Sequence, residues 1–208
     1  MAATLLNYAL TNLADVKESL GIASSDQSYD NLIVRTINQV TKQIEAYCGG
    51  RRFLETTYTQ EEYDATQIDQ FVLKQRPVTA TTDFLFEVRD SGLNINSWET
   101  IDNKLYFVDN ASGVVKTLFR GLGRWNRWRV TYSAGYPTIP EDLAEAAASL
   151  AGYYVLNPVG ELPVQERMEG SRRERFFPNP SSFVDILQAL GLDQIIDSYA
   201  NNPIMSDR

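Results

Sequence analysis

The spacing of apolar residues changes twice along the 208-residue chain and divides it into three stretches. Between Asn31 and Cys48, apolar side chains recur at intervals of four, three, four and three residues: Ile33, Ile37, Val40, Ile44 and Tyr47. This spacing predicts a helix with one narrow apolar seam, which suits packing against another helix. Two glycines, Gly49 and Gly50, end the pattern.

Residues 53–133 follow a different period. Short runs of β-type residues alternate there with Asp, Asn, Gly and Pro, which is typical of strands joined by turns. The last run alternates large apolar with polar side chains, which predicts one buried and one solvated strand face: Trp128, Val130 and Tyr132 against Arg127, Arg129 and Thr131. We therefore predict a small antiparallel sheet or a set of β-hairpins in this stretch.

Helical patterns flank the β stretch on both sides. The predicted helices span 12–20, 31–48 and 139–156, with Asn12 as a cap of the first and capping-box spacing between Thr138 and Glu141 at the third. The third is rich in alanine, which allows close approach to its neighbours. The predicted fold class is mainly α: a helical bundle of about four to five helices with a β insert between the second and third.

Two parts are predicted along the chain. Residues 1–157 form one domain, with the β insert at 53–133. Residues 158–208 form an extended C-terminal arm, because 158–181 is rich in proline and mixed charge and lacks periodicity, and a C-terminal helix follows at 183–199.

Composition narrows the chemistry. The chain has no histidine, which excludes Ser-His-Asp and Cys-His triads and histidine zinc sites. Its one cysteine, Cys48, ends the apolar seam and is expected in the core. No apolar run is long enough to span a bilayer and the N-terminus lacks signal-peptide features, so we expect a cytosolic product. We also expect that the protein is not an enzyme and has no cofactor or metal.

The densest acidic cluster is formed by Glu61, Glu62 and Asp64. Paired carboxylates can perform acid–base work or hold a hard cation, which would make the chain a carboxylate-dependent hydrolase. No calcium-loop spacing surrounds these residues. A solvated strand end is therefore the favoured interpretation.

The stretch 120–129 interleaves four arginines with two tryptophans: Arg120, Arg124, Arg127 and Arg129 with Trp125 and Trp128. Arginine can pair with phosphate while an aromatic ring stacks on a base, so one hypothesis is a nucleic-acid-binding module. The favoured alternative is a hairpin with tryptophans packed inward. The net charge of −8 also argues against a broad nucleic-acid surface.

A third cluster lies in the proline-rich arm and combines charge with aromatic rings: Arg172, Arg173, Arg175, Phe176 and Phe177. Adjacent phenylalanines beside arginines are typical of a docking segment. They are equally consistent with rings that fold back on the parent domain. The sequence leaves both alternatives open.

Six segments together resemble a known family: LTNLADVKESLGI, IEAYCGGRRF, EEYD, LKQRPV, WRVTYSAGYPTIPEDLAEAAASLAGYY and LDQIIDSY. In this order they resemble the adaptor, or head-completion, proteins of the connector that joins head and tail in long-tailed double-stranded DNA phages. Gly135 and Pro137 fall in the AGYP turn of the segment that begins WRVTYS. The resemblance extends from about residue 10 to residue 200, and the chain departs from a minimal family member in its longer stretches around 83–110 and 158–181.

The resemblance implies a structural adaptor in the virion neck, present in the host cytoplasm during assembly. Copies would form a ring, typically of twelve, that docks under the portal protein, receives the next connector (stopper) or tail-completion protein and lets DNA pass through its lumen. It implies no membrane contact. The implied portal contacts lie near the C-terminus: Arg172, Arg173, Arg175, Phe176, Phe177, Ile195, Ile196 and Tyr199.

Overall fold

The computed structural model describes residues 3–64, 70–90, 97–118, 125–157, 166–169, 172–175 and 182–200. The chain divides into two compact units. The helical unit comprises the described residues of 1–50 and 140–200, and the β unit comprises the described residues of 51–139. Each unit has its own apolar core.

Five α-helices form the helical unit: α1 Leu13–Ser19, α2 Asp30–Tyr47, α3 Glu141–Leu156, α4 Phe183–Leu190 and α5 Asp193–Ala200. Asn12 caps α1 as predicted, because its side chain accepts hydrogen bonds from the backbone N–H groups of Ala14 and Asp15. The capping box predicted with Thr138 is wrong. Helix α3 begins after Pro140 with no side-chain cap.

The predicted seam of α2 is buried, with Ile33, Ile37, Val40 and Ile44 all inaccessible to solvent. It packs against α3, whose buried face carries three small residues in succession: Ala146, Ala147 and Ala148. Farther along α3, a Cβ atom on Gly152 would lie 3.4 Å from Ser19 Oγ, so α1 and α3 approach closely there. Cys48 is buried, as predicted.

Polar side chains attach two non-helical segments to this unit. Lys17 is almost fully buried, and its Nζ forms an ion pair with Asp30 (2.5 Å) and donates to the backbone oxygen of Asp26 (2.6 Å). The loop between α1 and α2 is thereby fixed at both ends. The N-terminal segment runs along α2. The side chains of Asn31, Asn38 and Thr41 accept hydrogen bonds from the backbone N–H groups of residues 3, 6 and 10, respectively.

Seven strands form two antiparallel sheets in the β unit: β1 Thr56–Asp64, β2 Gln70–Val72, β3 Val78–Asp90, β4 Trp98–Thr100, β5 Tyr106–Asp109, β6 Val114–Thr117 and β7 Trp125–Ala134. Their orders are β1-β7-β3-β4 and β2-β6-β5. A separate antiparallel pair, β8 Glu166–Glu169 and β9 Arg172–Arg175, follows α3 in the chain.

The two sheets share one aromatic core. Phe86 on β3 lies 5.7 Å from Phe71 on β2 and 5.5 Å from Tyr106 on β5, measured between ring centroids. The ring of Trp128 on β7 lies 4.7 Å from that of Phe71, with the two ring planes tilted by 51°. The predicted alternation of the last strand is confirmed, since Trp128, Val130 and Tyr132 are buried while the arginines face outward.

The fold class predicted from the sequence, a mainly helical bundle with a small insert, is wrong. Strands hold nearly as many described residues as α-helices do, and they build two sheets with a core of their own. The fold is mixed α and β. The error arises because β-bulges interrupt the pairing of β1 and β3 with β7, and such irregularities obscure the alternation that marks long strands in a sequence.

Candidate functional site

The predicted acidic cluster does not converge on one point. Glu61 follows an irregularity in β1 where Gln60 has a positive φ of 54°. Its Oε2 accepts hydrogen bonds from Tyr63 (2.5 Å) and Tyr132 (2.7 Å), and its Oε1 lies 3.3 Å from Lys74 Nζ. Both oxygens of the Glu61 carboxylate therefore have partners within this chain.

The neighbouring carboxylate points elsewhere. Glu62 pairs with Arg127 on the exposed face of the sheet, at 2.7 Å, because successive strand residues face opposite sides. The Asp64 side chain lies outside the described residues. In the described part of the chain, no group of three or more histidine, cysteine or acidic residues is arranged to hold a metal ion.

Of the two tyrosines that donate to Glu61, Tyr132 is fully buried and Tyr63 is half-buried. Burial raises the pKa of Tyr63 above its usual range, and the hydrogen bond to Glu61 raises it further. Burial also raises the pKa of Tyr132, with smaller contributions from Tyr63 and Glu61. Backbone N–H groups of Lys74 and Gln75 donate to the same two hydroxyls, so the network joins β1, β7 and the segment after β2.

The described part of the arginine–tryptophan stretch, residues 125–129, lies in strand β7. Trp128 lies in the core and cannot serve as a stacking platform for a base. Arg129 donates two hydrogen bonds of 2.6 Å to the Glu87 carboxylate, and its guanidinium lies 4.5 Å from the Trp98 ring centroid. The hydrogen bond to Glu87 raises the Arg129 pKa.

Glu62 and Glu87 offset the positive charge of Arg127 and Arg129, which weakens the attraction of either arginine for a phosphate. The other members of the stretch, Arg120 and Arg124, lie outside the described residues. Sequence analysis missed Glu87 and Trp98. Their pairing with Arg129 depends on the register of β3, β4 and β7, which no local pattern specifies.

Gly135 ends β7 in a conformation that requires glycine. Its φ is +118°, and a Cβ atom there would lie 2.7 Å from the Glu55 nitrogen and 2.8 Å from the Leu54 carbonyl carbon. Its N–H donates to the Pro77 oxygen at 2.8 Å. The exposed Pro137 follows in a bend. Gly135 therefore holds three backbone segments together.

The C-terminal helices pack within the helical unit. Tyr47 donates to Asp197 (2.6 Å), which raises the Tyr47 pKa to about 12, and its ring lies 5.6 Å from that of Phe183. Tyr199 donates to Asp142 on α3 at 2.7 Å. Gly191, at φ +69°, separates α4 from α5, where the sequence predicted one helix at 183–199.

The residues predicted to contact the portal differ in their burial and in the element on which they lie. Ile195 and Tyr199 are half-buried on α5. Ile196 is fully buried in the core of the helical unit. Residues 172–175 form strand β9, whereas Phe176 and Phe177 lie outside the described residues.

Two exposed apolar surfaces were missed by sequence analysis. In the β unit, Leu105, Phe107 and Leu118 are 43%, 60% and 69% exposed. In the helical unit, a groove lies among the ends of α1, α2 and α3, lined by Leu20, Ile22, Tyr29, Leu32, Val155 and Leu156. Single exposed apolar residues are common, but grouped ones often mark contact surfaces.

No helix among the described residues has the length and apolar character that a membrane span needs.

Comparisons with known proteins give consistent results. A family model described as "Head completion protein" matches residues 9–161. The fold is similar to a chain from the neck of an empty gene transfer agent (GTA) particle computed with C6 symmetry, at a TM-score of 0.57 and 15% identity, covering 100% of this chain and 98% of that one.

A second similar structure comes from the virion of a native GTA particle. The TM-score is 0.50 and the identity 16%, and the match covers 79% of this chain and 87% of that one. At these identities the likeness shows the fold alone. No curated protein sequence matches the chain.

Proposed function

The chain belongs to the head completion protein family, and on that premise we propose that it is a structural subunit of the neck that joins the head to the tail of a phage-like particle. The family match confirms the resemblance inferred from the sequence. The observation that carries the proposal is agreement between two measures: the family match over residues 9–161 and the fold likeness, over the whole chain, to a chain from a particle neck.

The arrangement of polar groups supports a structural role. The ionic and tyrosine side chains around Glu61, Arg129 and Tyr47 bind one another within their own units. Such networks fix strand and helix positions. We propose that the protein acts by presenting surfaces to other proteins and performs no chemical step.

We further propose that copies of the chain form a ring, of twelve subunits, with DNA passing through the lumen. The C6 symmetry used for the neck that contains the similar chain is compatible with rings of six or twelve. Each copy carries a net charge of −8, so a ring would repel DNA overall and hinder adhesion during passage.

The neck assignment is tested by leaving the chain out of particle assembly. We expect DNA-containing heads that lack attached tails, and restored tails when the chain is supplied in trans. Labelled antibody against the chain should mark the neck of complete particles in electron micrographs. Normal tailed particles that contain no copy of the chain would refute the proposal.

We propose that the ring docks on the portal protein through the C-terminal region, with contacts from Arg172, Arg173, Arg175, Phe176 and Phe177 and from the half-buried Ile195 and Tyr199 on α5. The opposite side would receive the next connector (stopper) or the tail-completion protein. Arginine and aromatic residues are enriched at protein interfaces, which supports this choice.

Charge reversal tests the portal contact. Arg172→Glu with Arg173→Glu should weaken binding to purified portal protein by roughly tenfold or more, because rim charges become repulsive. The matched control is Arg35→Glu with Lys42→Glu on the exposed face of α2, which changes the net charge equally and should leave binding intact. Equal losses in both variants would contradict a specific contact at 172–173.

A further inference from the structure

Charge is distributed unevenly over the helical unit. Residues 3–50, 140–157 and 182–200 hold eleven acidic side chains and three basic ones. One of the three, Lys17, is buried and paired with Asp30. The other two, Arg35 and Lys42, are both exposed and lie two turns apart on α2. In these residues, exposed positive charge is therefore confined to one face of one helix.

This face of α2 carries a shallow groove of about 500 Å³ that has no acidic residue in its lining. Glu45, the acidic residue closest in sequence to Lys42, is half-buried and does not line the groove, and its Oε1 is inaccessible to solvent. We call the six residues that line the groove the basic stripe: Arg35, Asn38, Gln39, Lys42, Gln43 and Ala46. The stripe presents two cations and three amides.

The segments that flank the basic stripe are uncharged. The N-terminal segment is held to α2 by Asn31 and Asn38, and residues 3–12 carry no charged side chain. On α3, Tyr154 is hydrogen-bonded to Gln43, and residues 146–157 carry no charged side chain either. Neither flank therefore offsets the positive charge of the stripe.

The groove between α1 and α3 has the opposite character. Its lining holds four carboxylates and no basic residue: Asp15, Glu18, Glu141 and Glu145. A polyanion is repelled by this groove and attracted by the basic stripe. Charge thus gives the helical unit one face that favours a polyanion and one that disfavours it.

The residue types and spacing of the basic stripe suit the phosphate backbone of DNA. Arginine and lysine pair with phosphates, and asparagine and glutamine donate hydrogen bonds to phosphate oxygens, in both cases without reading the bases. Seven residues of α-helix span about 10.5 Å, and phosphates follow one another about every 3.4 Å along the axis of a DNA strand. Arg35 and Lys42 therefore lie about three phosphates apart.

We propose that the basic stripe faces the lumen of the ring and contacts the phosphate backbone of the double-stranded DNA that passes through it. The inference rests on the proposed neck function and adds which surface of the chain meets the DNA. DNA is favoured over a protein partner because no apolar side chain larger than Ala46 lines the groove, whereas protein interfaces depend on large buried anchors.

The strength of the contact depends on the ring. Two cations on a chain of net charge −8 hold DNA too weakly for one copy to bind it in solution. A ring presents the same stripe many times around one duplex, so the contacts add together. Weak contacts that ignore base sequence also let DNA move along the lumen.

Directed cleavage of DNA tests which surface faces the lumen. Gln39→Cys places a thiol on the exposed part of the stripe, where it is labelled with an iron chelate that cuts nearby DNA through hydroxyl radicals. The native Cys48 is buried and stays unlabelled. When the labelled chain is supplied to DNA-filled heads that lack it, we expect cuts confined to one end of the DNA.

The matched control places the same label in the acidic groove. Ser149 is exposed and lines that groove, so labelled Ser149→Cys should give only background cutting. Equal cutting from both positions would overturn the inference alone. So would intact DNA in particles where antibody finds the labelled Gln39→Cys chain at the neck. Complete particles without the chain would instead overturn the proposed function.

Neutralising the stripe tests the contact in purified rings. Arg35→Gln with Lys42→Gln should weaken binding of a short DNA duplex to rings assembled on the portal by roughly tenfold or more at low salt. The salt dependence of the affinity should also become flatter, because fewer counterions are released. Glutamine favours helix at both exposed positions, so α2 keeps its structure.

An equal change of charge in the β unit is the control. Lys104→Gln with Lys116→Gln alters two exposed lysines and should leave the affinity for DNA nearly unchanged. Equal weakening by both variants would show that total charge and not the stripe decides, which overturns the inference. Failure of the stripe variant to form rings would also overturn it, because the stripe would then be a contact between subunits.

Discussion

The helical unit and the β unit fill their cores by different means. The helical unit uses aliphatic residues on α2 and small residues on α3, and α1 and α3 approach closely at Gly152. The β unit uses interlocking aromatic rings between two sheets, with Phe86 and Trp128 at the centre. Small-residue packing tolerates little added volume, whereas aromatic packing tolerates little removal.

The largest effect is expected at the centre of the aromatic core. Phe86→Ala should lower the free energy of unfolding by about 3–5 kcal/mol, because it leaves a cavity among three aromatic neighbours. Urea unfolding measures the loss, and Phe107→Ala, at a 60% exposed ring, is the matched control with little effect. Hydrogen exchange should show lost protection in β7 with α2 largely unchanged. Equal loss in both would mean that the two cores unfold together.

The next effect concerns backbone rather than side-chain packing. Gly135→Ala should cost about 3 kcal/mol, because the new Cβ would meet the backbone of Leu54 and Glu55 in addition to the strain of the φ of +118°. Gly191→Ala in the helical unit has a positive φ but open space around it, so about 1 kcal/mol is expected. Thermal unfolding distinguishes the two. Similar costs would show that strain alone, and not close approach, makes Gly135 necessary.

Alkaline pH should affect both units through their tyrosines. A tyrosine whose pKa is raised in the folded state makes a stabilising contribution that is fully present below pH 10. This contribution is lost as the pH rises through the pKa of the folded state. The melting temperature should therefore fall above pH 10. Tyr47→Phe should reduce the fall in the helical unit, where the folded pKa is about 12, and Tyr63→Phe should reduce it in the β unit. An unchanged slope in both variants would exclude these tyrosines as the cause.

The smallest effect tests the close approach of α1 and α3. Gly152→Ala should raise the free energy of unfolding by about 0.5–1 kcal/mol, because a Cβ there makes ordinary contacts and alanine favours the helix. Gly152→Leu should instead lower it by about 1–3 kcal/mol through crowding against Ser19 and Leu20. Denaturant titration checks both. A stable leucine variant would show that the helices have room to separate.

Sequence reasoning succeeded where structure depends on local spacing. The predicted helices at 12–20, 31–48 and 139–156 lie within two residues of the observed bounds, and the Asn12 cap and the burial of Trp128 are as expected. It failed where distant residues meet. The extent of the β unit and the hydrogen bonds from two tyrosines to Glu61 depend on contacts between residues far apart in the chain.

The sequence by itself determined where the helices lie, which face of β7 is buried and to which family the chain belongs, because these follow from residue order and from periods of 3.6 and 2. Only the tertiary structure decided that Arg127 and Arg129 are paired with Glu62 and Glu87, and that apolar residues from three helix ends form one groove. Strand register and helix packing bring those groups together, and neither is encoded in any single segment.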